Sequence, residues 1–175
     1  MLPAPYSVVI VADAGLNPDR QQRSTPVQVR LYELKDPSSF QTADFFALYE
    51  KDDQVLGTDV VSREQFTMQP GQSRTLLRKT KAEARTLGVF VAFRDVEKSI
   101  WRTTAALPQG KEVGRFAIFS PSFEASVINV RIAPNAVSAS MNSGEVPVKK
   151  PERPRIDLPS VPGSAQGQTP WEIPR

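Results

Sequence analysis

Short runs of apolar and β-branched residues dominate the first part of the chain. Residues 6–12 (YSVVIVA) form a continuous apolar run, which predicts a strand buried on both faces. In residues 27–34, by contrast, Val27, Val29 and Leu31 alternate with polar side chains. Alternation with a period of two predicts a strand that has one buried and one solvated face.

A helical pattern follows over residues 36–56. Asp36 is a candidate N-cap and Pro37 suits the first helical position. Thr42 is a candidate cap for a second helix, from 43 to about 55, which ends near Gly57. The apolar stripe of this helix, spaced i, i+3 and i+4, consists of Phe45, Leu48 and Tyr49.

Strand patterns then resume and continue to residue 133. They cover residues 64–68, 73–78, 86–93, 99–104, 116–119 and 126–133. Pro70-Gly71 suits the centre of a type II turn between the first two of these. Seven or eight short strands without regular strand–helix alternation predict a mainly β fold, a two-sheet antiparallel β-sandwich. We expect the helical insertion at 36–56 to cover one end or edge of a sheet.

The proline content rises near the C-terminus. Eight of the 16 prolines lie in residues 134–175, where Trp171 is the sole aromatic residue. Such a segment cannot bury enough apolar surface to offset its ordering entropy. The sequence therefore predicts a sandwich domain at 1–133 and an extended or disordered Pro-rich tail at 134–175.

Composition narrows the chemistry. The chain has no His and no Cys, which removes the commonest general base, thiol nucleophiles and the usual zinc ligands. The net charge is +3 and the basic residues are dispersed, unlike the stripe of a nucleic-acid-binding protein. We therefore assign no catalytic, cofactor-binding or metal residues and expect neither an enzyme nor a nucleic-acid partner.

Two acidic motifs have structural interpretations. Asp52, Asp53 and Asp59 could supply oxygen ligands to calcium, but their spacing lacks the Gly and terminal Glu of an EF-hand loop, and we favour a structural or solvated role. Phe93-Arg94-Asp95 could place a buried Arg–carboxylate pair at a strand end, which would be architectural.

The connection at residues 13–26 is long for two neighbouring sandwich strands. Loops of this length in compact domains are often functional, and a pre-organised turn at Asn17-Pro18-Asp19 would lose little entropy on binding. Leu16 is its one sizeable apolar side chain, which we expect to be exposed. The candidate partner-binding residues are Asp13, Gly15, Leu16, Asn17, Pro18, Asp19, Arg20 and Arg23. The alternative is an inert crossover between the two sheets.

Several of these motifs occur in the same order in a known family. The chain resembles the TssJ-type lipoproteins of bacterial type VI secretion, over roughly residues 6–133. The matching motifs are Leu16-Asn17-Pro18-Asp19, residues 26–35 (PVQVRLYELK), Phe40 with residues 43–48 (ADFFAL), Leu56-Gly57, Pro70-Gly71, residues 87–95 (LGVFVAFRD) and Trp101-Arg102. Each motif alone is weak, whereas their collinear order is specific.

The resemblance implies an eight-stranded, transthyretin-like sandwich with a small helical addition. It also implies a lipid anchor in the outer membrane, with the domain on the periplasmic face. The implied partner is the periplasmic C-terminal domain of the TssM-type inner-membrane protein, bound through the loop between strands one and two, which is 13–26 here. Other proteins of the secretion membrane complex are further candidate partners.

Members of this family carry a signal peptide and a lipidated Cys, whereas this sequence begins at Met1 without either. We therefore expect the native protein to have residues before Met1. Two other functions remain open from the sequence. One is a transthyretin-like carrier of a small hydrophobic ligand, which needs an apolar cavity. The other is a carboxylate-based hydrolase, which needs two acidic side chains across a cleft.

Overall fold

The computed structural model describes residues 3–109 and 126–142. Eight strands lie in these ranges: β1 (Pro5–Ala12), β2 (Val27–Leu34), β3 (Val60–Met68), β4 (Ser73–Lys79), β5 (Thr86–Val91), β6 (Arg102–Ala106), β7 (Ser126–Ile132) and β8 (Val137–Asn142). Two α-helices, α1 (Ser38–Thr42) and α2 (Phe45–Leu56), lie between β2 and β3. No helix in the described ranges is long and apolar enough to cross a membrane. The predicted strand at 116–119 lies outside the described residues.

The strands form two four-stranded sheets, in the orders β4-β1-β7-β8 and β3-β2-β5-β6. The predicted two-sheet β-sandwich is confirmed. Five of the six strand pairs are antiparallel, and the exception is β1 with β7, which run parallel. The short connection from β3 to β4 crosses from one sheet to the other, and its Pro70-Gly71 turn is of the predicted kind. Gly71 has a φ of 74°, and the N–H of Gln72 donates to the carbonyl of Gln69 at 3.1 Å.

The main core lies between the sheets and is built from alternate residues of the strands. Val8 and Ile10 of β1 pack there against Val29 of β2 and Val89 of β5. The prediction that β1 is buried on both faces is wrong, because Val11 on its outer side is 43% exposed. No helix covers the outer face of this sheet within the described residues, and Leu77 of β4 on that face is 85% exposed.

A second apolar cluster covers the outer face of the other sheet. Its members are Tyr32, Leu34, Phe40, Phe45, Leu48, Leu56 and Phe90. The helices therefore lie over a sheet face, and not at the end or edge that the sequence predicts. The prediction of one solvated face for β2 is wrong for the same reason, because α1 and α2 take Tyr32 and Leu34 out of water.

The helix boundaries follow local chemistry. Asp44, and not Thr42, caps α2, because its carboxylate accepts from the backbone N–H of Ala47 at 3.0 Å. Gly57, at a φ of 49°, ends the helix as predicted. Within α2, Lys51 departs from helical geometry (φ −137°), which kinks the helix just before Asp52.

The predicted domain boundary at residue 133 is too early. Strand β8 pairs with β7 along its whole length, from Ile132 with Val137 to Val127 with Asn142. The sandwich therefore includes residues that the sequence assigns to the tail. Val137 and Ala139 face the core and alternate with Ser138 and Ser140, which supplies the period-two signal of a strand. The rest of the predicted tail lies outside the described residues.

Candidate partner-binding site

The loop 13–26 connects the end of β1 to the start of β2, which lie in different sheets. Its first half is anchored to the sandwich. Asp13 donates its backbone N–H to Ile132 of β7, and its carboxylate accepts two hydrogen bonds from Arg131, at 3.1 and 3.2 Å. Gly15 is exposed and lies beside Pro134. Asp13 therefore fixes where the loop leaves the sheet.

Leu16 does not have the exposure that the sequence predicts. Its side chain has 0% relative exposure and packs in the main core. Burying a leucine side chain of this size is worth about 2 kcal/mol, which is a reason for the loop to fold back onto the sandwich. Leu16 therefore positions the loop, and a partner could touch its side chain only after the loop opened.

Asn17 connects three loops at one end of the sandwich. Its backbone N–H donates to the carbonyl of Pro134 in the β7–β8 turn at 2.9 Å, and its side-chain oxygen accepts from the backbone N–H of Arg94 at 2.9 Å. Its amide nitrogen donates to Thr25 Oγ1 at 3.0 Å and to the carbonyl of Pro26 at 2.9 Å. Asn17 is 4% exposed and has a φ of 48°, a conformation that Asn tolerates better than most residues.

The exposed tip of the loop is a tight turn closed by Asp19. The Asp19 carboxylate accepts from the backbone N–H groups of Gln21 and Arg23 at 2.8 and 2.9 Å, and from Arg23 Nε at 2.9 Å. These donors, above all the backbone N–H of Arg23, hold the pKa of Asp19 below its usual value. Pro18 is half-buried, whereas Arg20 and Arg23 are exposed. The tip is therefore ordered by its own hydrogen bonds and presents cationic side chains.

A groove of about 580 Å³ lies beside this loop. One wall is the loop itself, a second is residues 93–98 after β5, and a third is the β7–β8 turn at Pro134 and Asn135. The second and third walls are absent from the candidate residues derived from the sequence. The sequence pattern of Phe93-Arg94-Asp95, on the second wall, predicts a buried Arg–carboxylate pair. That prediction is wrong, because Arg94 and Asp95 are both exposed.

The lining of the groove does not suit a hydrophobic ligand. It includes the charged residues Asp19, Arg20, Arg94, Asp95 and Lys98. Carriers of small hydrophobic molecules need a mainly apolar cavity with few polar groups. The groove has the character of a protein-interaction surface, with apolar Pro18, Phe93 and Pro134 among charged side chains.

Two buried carboxylates lie elsewhere, and each is occupied. Glu33 accepts from Tyr6 at 2.5 Å and from Ser62 at 2.6 Å, with Arg78 3.4 Å away. Burial alone would raise the pKa of Glu33, but the hydrogen bonds from Ser62 and Tyr6 and the charge of Arg78 outweigh it, so the pKa is lowered. This cluster joins β1, β2, β3 and β4 across both sheets.

Asp52, which belongs to helix α2, is held in a similar way by residues of the sheet that the helix covers. It accepts from Tyr32 at 2.7 Å and from Arg63 at 2.8 Å, and Arg30 lies 3.6 Å away. Desolvation would raise the pKa of Asp52, yet the hydrogen bonds from Arg63 and Tyr32 lower it overall. Glu33 and Asp52 are therefore ionised, paired carboxylates with structural roles, and neither is poised as a general acid.

The two four-stranded sheets and the helices over one face define a transthyretin-like β-sandwich, which carries a groove formed by three loops at one end. The sequence profile of the type VI secretion lipoproteins (VasD, EvfM, TssJ) matches residues 4–133. The chain belongs to this family of type VI secretion lipoproteins, which are structural proteins and not enzymes. No protein among the curated sequences matched the chain.

Solved structures agree with the fold. The T6SS lipoprotein TssJ1 of Pseudomonas aeruginosa is 27% identical, with a TM-score of 0.69, covering 80% of this chain and 97% of its own. Lip of Serratia marcescens, a membrane-bound component of the type VI secretion system, is 24% identical, with a TM-score of 0.68 and coverages of 79% and 97%. A chain in the structure of the T6SS protein TssM C-terminal domain from EAEC is 23% identical, with a TM-score of 0.55 and coverages of 77% and 99%.

Proposed function

We propose that this protein is a scaffold of the type VI secretion membrane complex that binds the periplasmic C-terminal domain of a TssM-type inner-membrane protein through loop 13–26. Membership of the lipoprotein family supports a role in type VI secretion, and a chain of similar fold occurs in a structure of the TssM C-terminal domain. The observation that carries the choice of surface is the buried Asn17, whose hydrogen bonds hold the loop tip, residues 93–98 and the β7–β8 turn together.

The mechanism is binding by a pre-formed surface. Because Leu16 and Asn17 are buried and Asp19 closes its own turn, little ordering entropy remains to be lost when a partner binds. The contact surface is then the exposed part of the loop, residues 18–24, together with the adjoining groove. Leu16 and Asn17 act indirectly, because they set the position of this surface.

We also place the protein at the periplasmic face of the outer membrane, held by an N-terminal lipid. The family consists of lipoproteins, and several acyl chains together give stable anchoring where one chain holds only marginally. Anchored in this way, the sandwich would tether the inner-membrane component to the outer membrane. Sucrose-gradient fractionation of cells that express the full-length gene tests this placement, and recovery in the soluble periplasmic fraction would contradict it.

Calorimetry with the TssM-type periplasmic fragment tests the binding surface. In one variant, residues 20–24 are replaced by a Gly-Ser segment of equal length, which spares Leu16, Asn17 and Asp19. In the control, the exposed residues 81–83 at the opposite end of the sandwich are replaced in the same way. We expect the first change to abolish measurable binding and the control to leave it intact. Equal affinities for both variants would remove the loop from the interface.

A further inference from the structure

Not every charge around the groove is balanced. Asp19 is neutralised within the loop by Arg23, at 2.9 Å, and by two backbone N–H groups. Asp95 and Lys98 form a pair with each other at 3.5 Å, on the second wall. Both acidic residues that line the groove are therefore engaged with cations of their own segment.

Arg20 and Arg94 are different. Both line the groove, Arg20 on the wall formed by loop 13–26 and Arg94 on the wall formed by residues 93–98. Both are exposed, and within residues 3–109 and 126–142 neither guanidinium makes an ion pair or a side-chain hydrogen bond. The other arginines near this end have partners: Arg23 binds Asp19 and Arg131 binds Asp13. The groove thus carries two uncompensated guanidinium groups from two separate segments.

The backbone that carries the two cations is held in place. The N–H of Arg94 donates to the side chain of Asn17, three residues before Arg20, and Asp19 closes the turn that Arg20 belongs to. A guanidinium on a fixed backbone loses little entropy when it forms a bidentate bond with a carboxylate, and it is weakly hydrated compared with an ammonium group. Arginines of this kind are frequent energetic centres of protein interfaces.

We propose that the groove receives an acidic stretch of the partner, whose carboxylates bind Arg20 and Arg94 while its backbone lies against the apolar surface of Pro18 and Pro134. This inference rests on the proposed function, because it specifies the chemistry of the segment that a TssM-type protein inserts here. It assigns the contact on the second wall of the groove to Arg94, which lies in the β5–β6 connection. The two arginines set specificity through charge, and the apolar residues supply contact area.

The test uses charge removal without loss of structure. We compare Arg20→Gln, Arg94→Gln and the double variant with the control Lys79→Gln. Lys79 is an exposed cation that makes no ion pair in the described part of the chain. It lies near the start of β1, far from the groove. Affinity for the TssM-type fragment is measured by calorimetry at 50 and 500 mM NaCl. Urea midpoints of all variants verify that folding is unaltered.

We expect the double variant to bind about 10- to 100-fold more weakly than the wild type at low salt. The difference should shrink at 500 mM NaCl, where the Debye length falls to about 4 Å. Lys79→Gln should bind as the wild type does. Wild-type affinity in the double variant, combined with loss of binding when residues 20–24 are replaced, would overturn the acidic-segment inference and leave the proposed function standing.

If the fragment fails to bind the wild type at all, that result refutes the proposed function. A second experiment then tests the acidic-segment inference by itself. Hexaglutamate is then titrated into the isotopically labelled protein, and the backbone amide shifts of residues 17–22 and 93–98 are followed. Shifts in the wild type that are lost in the double variant would support an acidic ligand for the groove. Unmoved amides would overturn that inference as well.

Discussion

Replacing Asn17 by Ala probes the residue that holds the candidate site together. The change removes three side-chain hydrogen bonds, two donated to Thr25 and Pro26 and one accepted from the backbone of Arg94. It also places Ala at a φ of 48°, where Asn is better tolerated. The fold of the two sheets does not depend on these contacts, so we expect a destabilised but folded protein.

The magnitude follows from these contacts. Three hydrogen bonds at about 1 kcal/mol each give about 3 kcal/mol. The left-handed backbone adds about 1 kcal/mol, so the free energy of unfolding should fall by roughly 3 to 4 kcal/mol. With a slope of about 2 kcal/mol per M urea, this loss moves the urea midpoint down by about 1.5 to 2 M.

Urea unfolding followed by tryptophan fluorescence or circular dichroism measures this shift. Gln22→Ala is the matched control, because Gln22 lies in the same loop at a φ of 62° but makes no side-chain hydrogen bond in the described residues. Its midpoint should change by no more than the equivalent of about 0.5 kcal/mol.

The same variant should lose affinity for the TssM-type fragment, because the loop tip and residues 93–98 would no longer be held together. Equal urea midpoints for Asn17→Ala and Gln22→Ala would refute this reasoning. That result would mean that water replaces the three hydrogen bonds without loss, and that Leu16, Asp13 and the backbone hydrogen bonds of the loop suffice to position it.

Three further changes test other parts of the structure. The pKa of Glu33 is lowered in the folded state, so its contribution to stability is present above the unfolded pKa near 4.5 and is lost as the pH falls through the folded pKa. Glu33→Gln should therefore flatten the dependence of the urea midpoint on pH below about 4.5. An unchanged slope would contradict this. Gly88→Ala would place a Cβ 3.1 Å from Leu34 and 3.2 Å from Phe40, both buried, and should cost about 1 to 3 kcal/mol by the same assay; a neutral effect would mean that Phe40 can move. Gly71→Ala, at a φ of 74° in open space, should cost only about 1 kcal/mol, and a larger loss would show that the β3–β4 turn has a second role.

Local patterns in the sequence predicted most of the secondary structure. The bounds of β2 agree with the alternation that begins at Val27, and the turn at Gly71 follows from the conformational freedom of glycine. Strand β8 carried an alternating signal as well, but the proline content of the following residues outweighed it. Patterns of this kind are legible because they depend on neighbours within a few residues.

Whether each face of a strand is buried or solvated was less predictable, because the burial of the outer face depends on what packs against it. The continuous apolar run of β1 has no helix over it in the described residues, whereas the alternating β2 is covered by α1 and α2. Hydrophobic pattern alone cannot state which sheet face a helical insertion covers, because that choice is made by contacts between residues distant in sequence, such as Phe40 with Tyr32 and Gly88.

The amino-acid sequence was enough to predict the fold class, to exclude His and Cys chemistry, and to reveal the unusual length of loop 13–26 and the order of motifs that the family shares. The burial of Leu16 and Asn17, and the position of Arg94 and Pro134 beside the loop, became visible in the folded structure. They depend on the groove, which forms where three connections meet at one end of the two sheets. Their separation along the chain, from Asn17 to Arg94 to Pro134, is bridged by hydrogen bonds that no local pattern records.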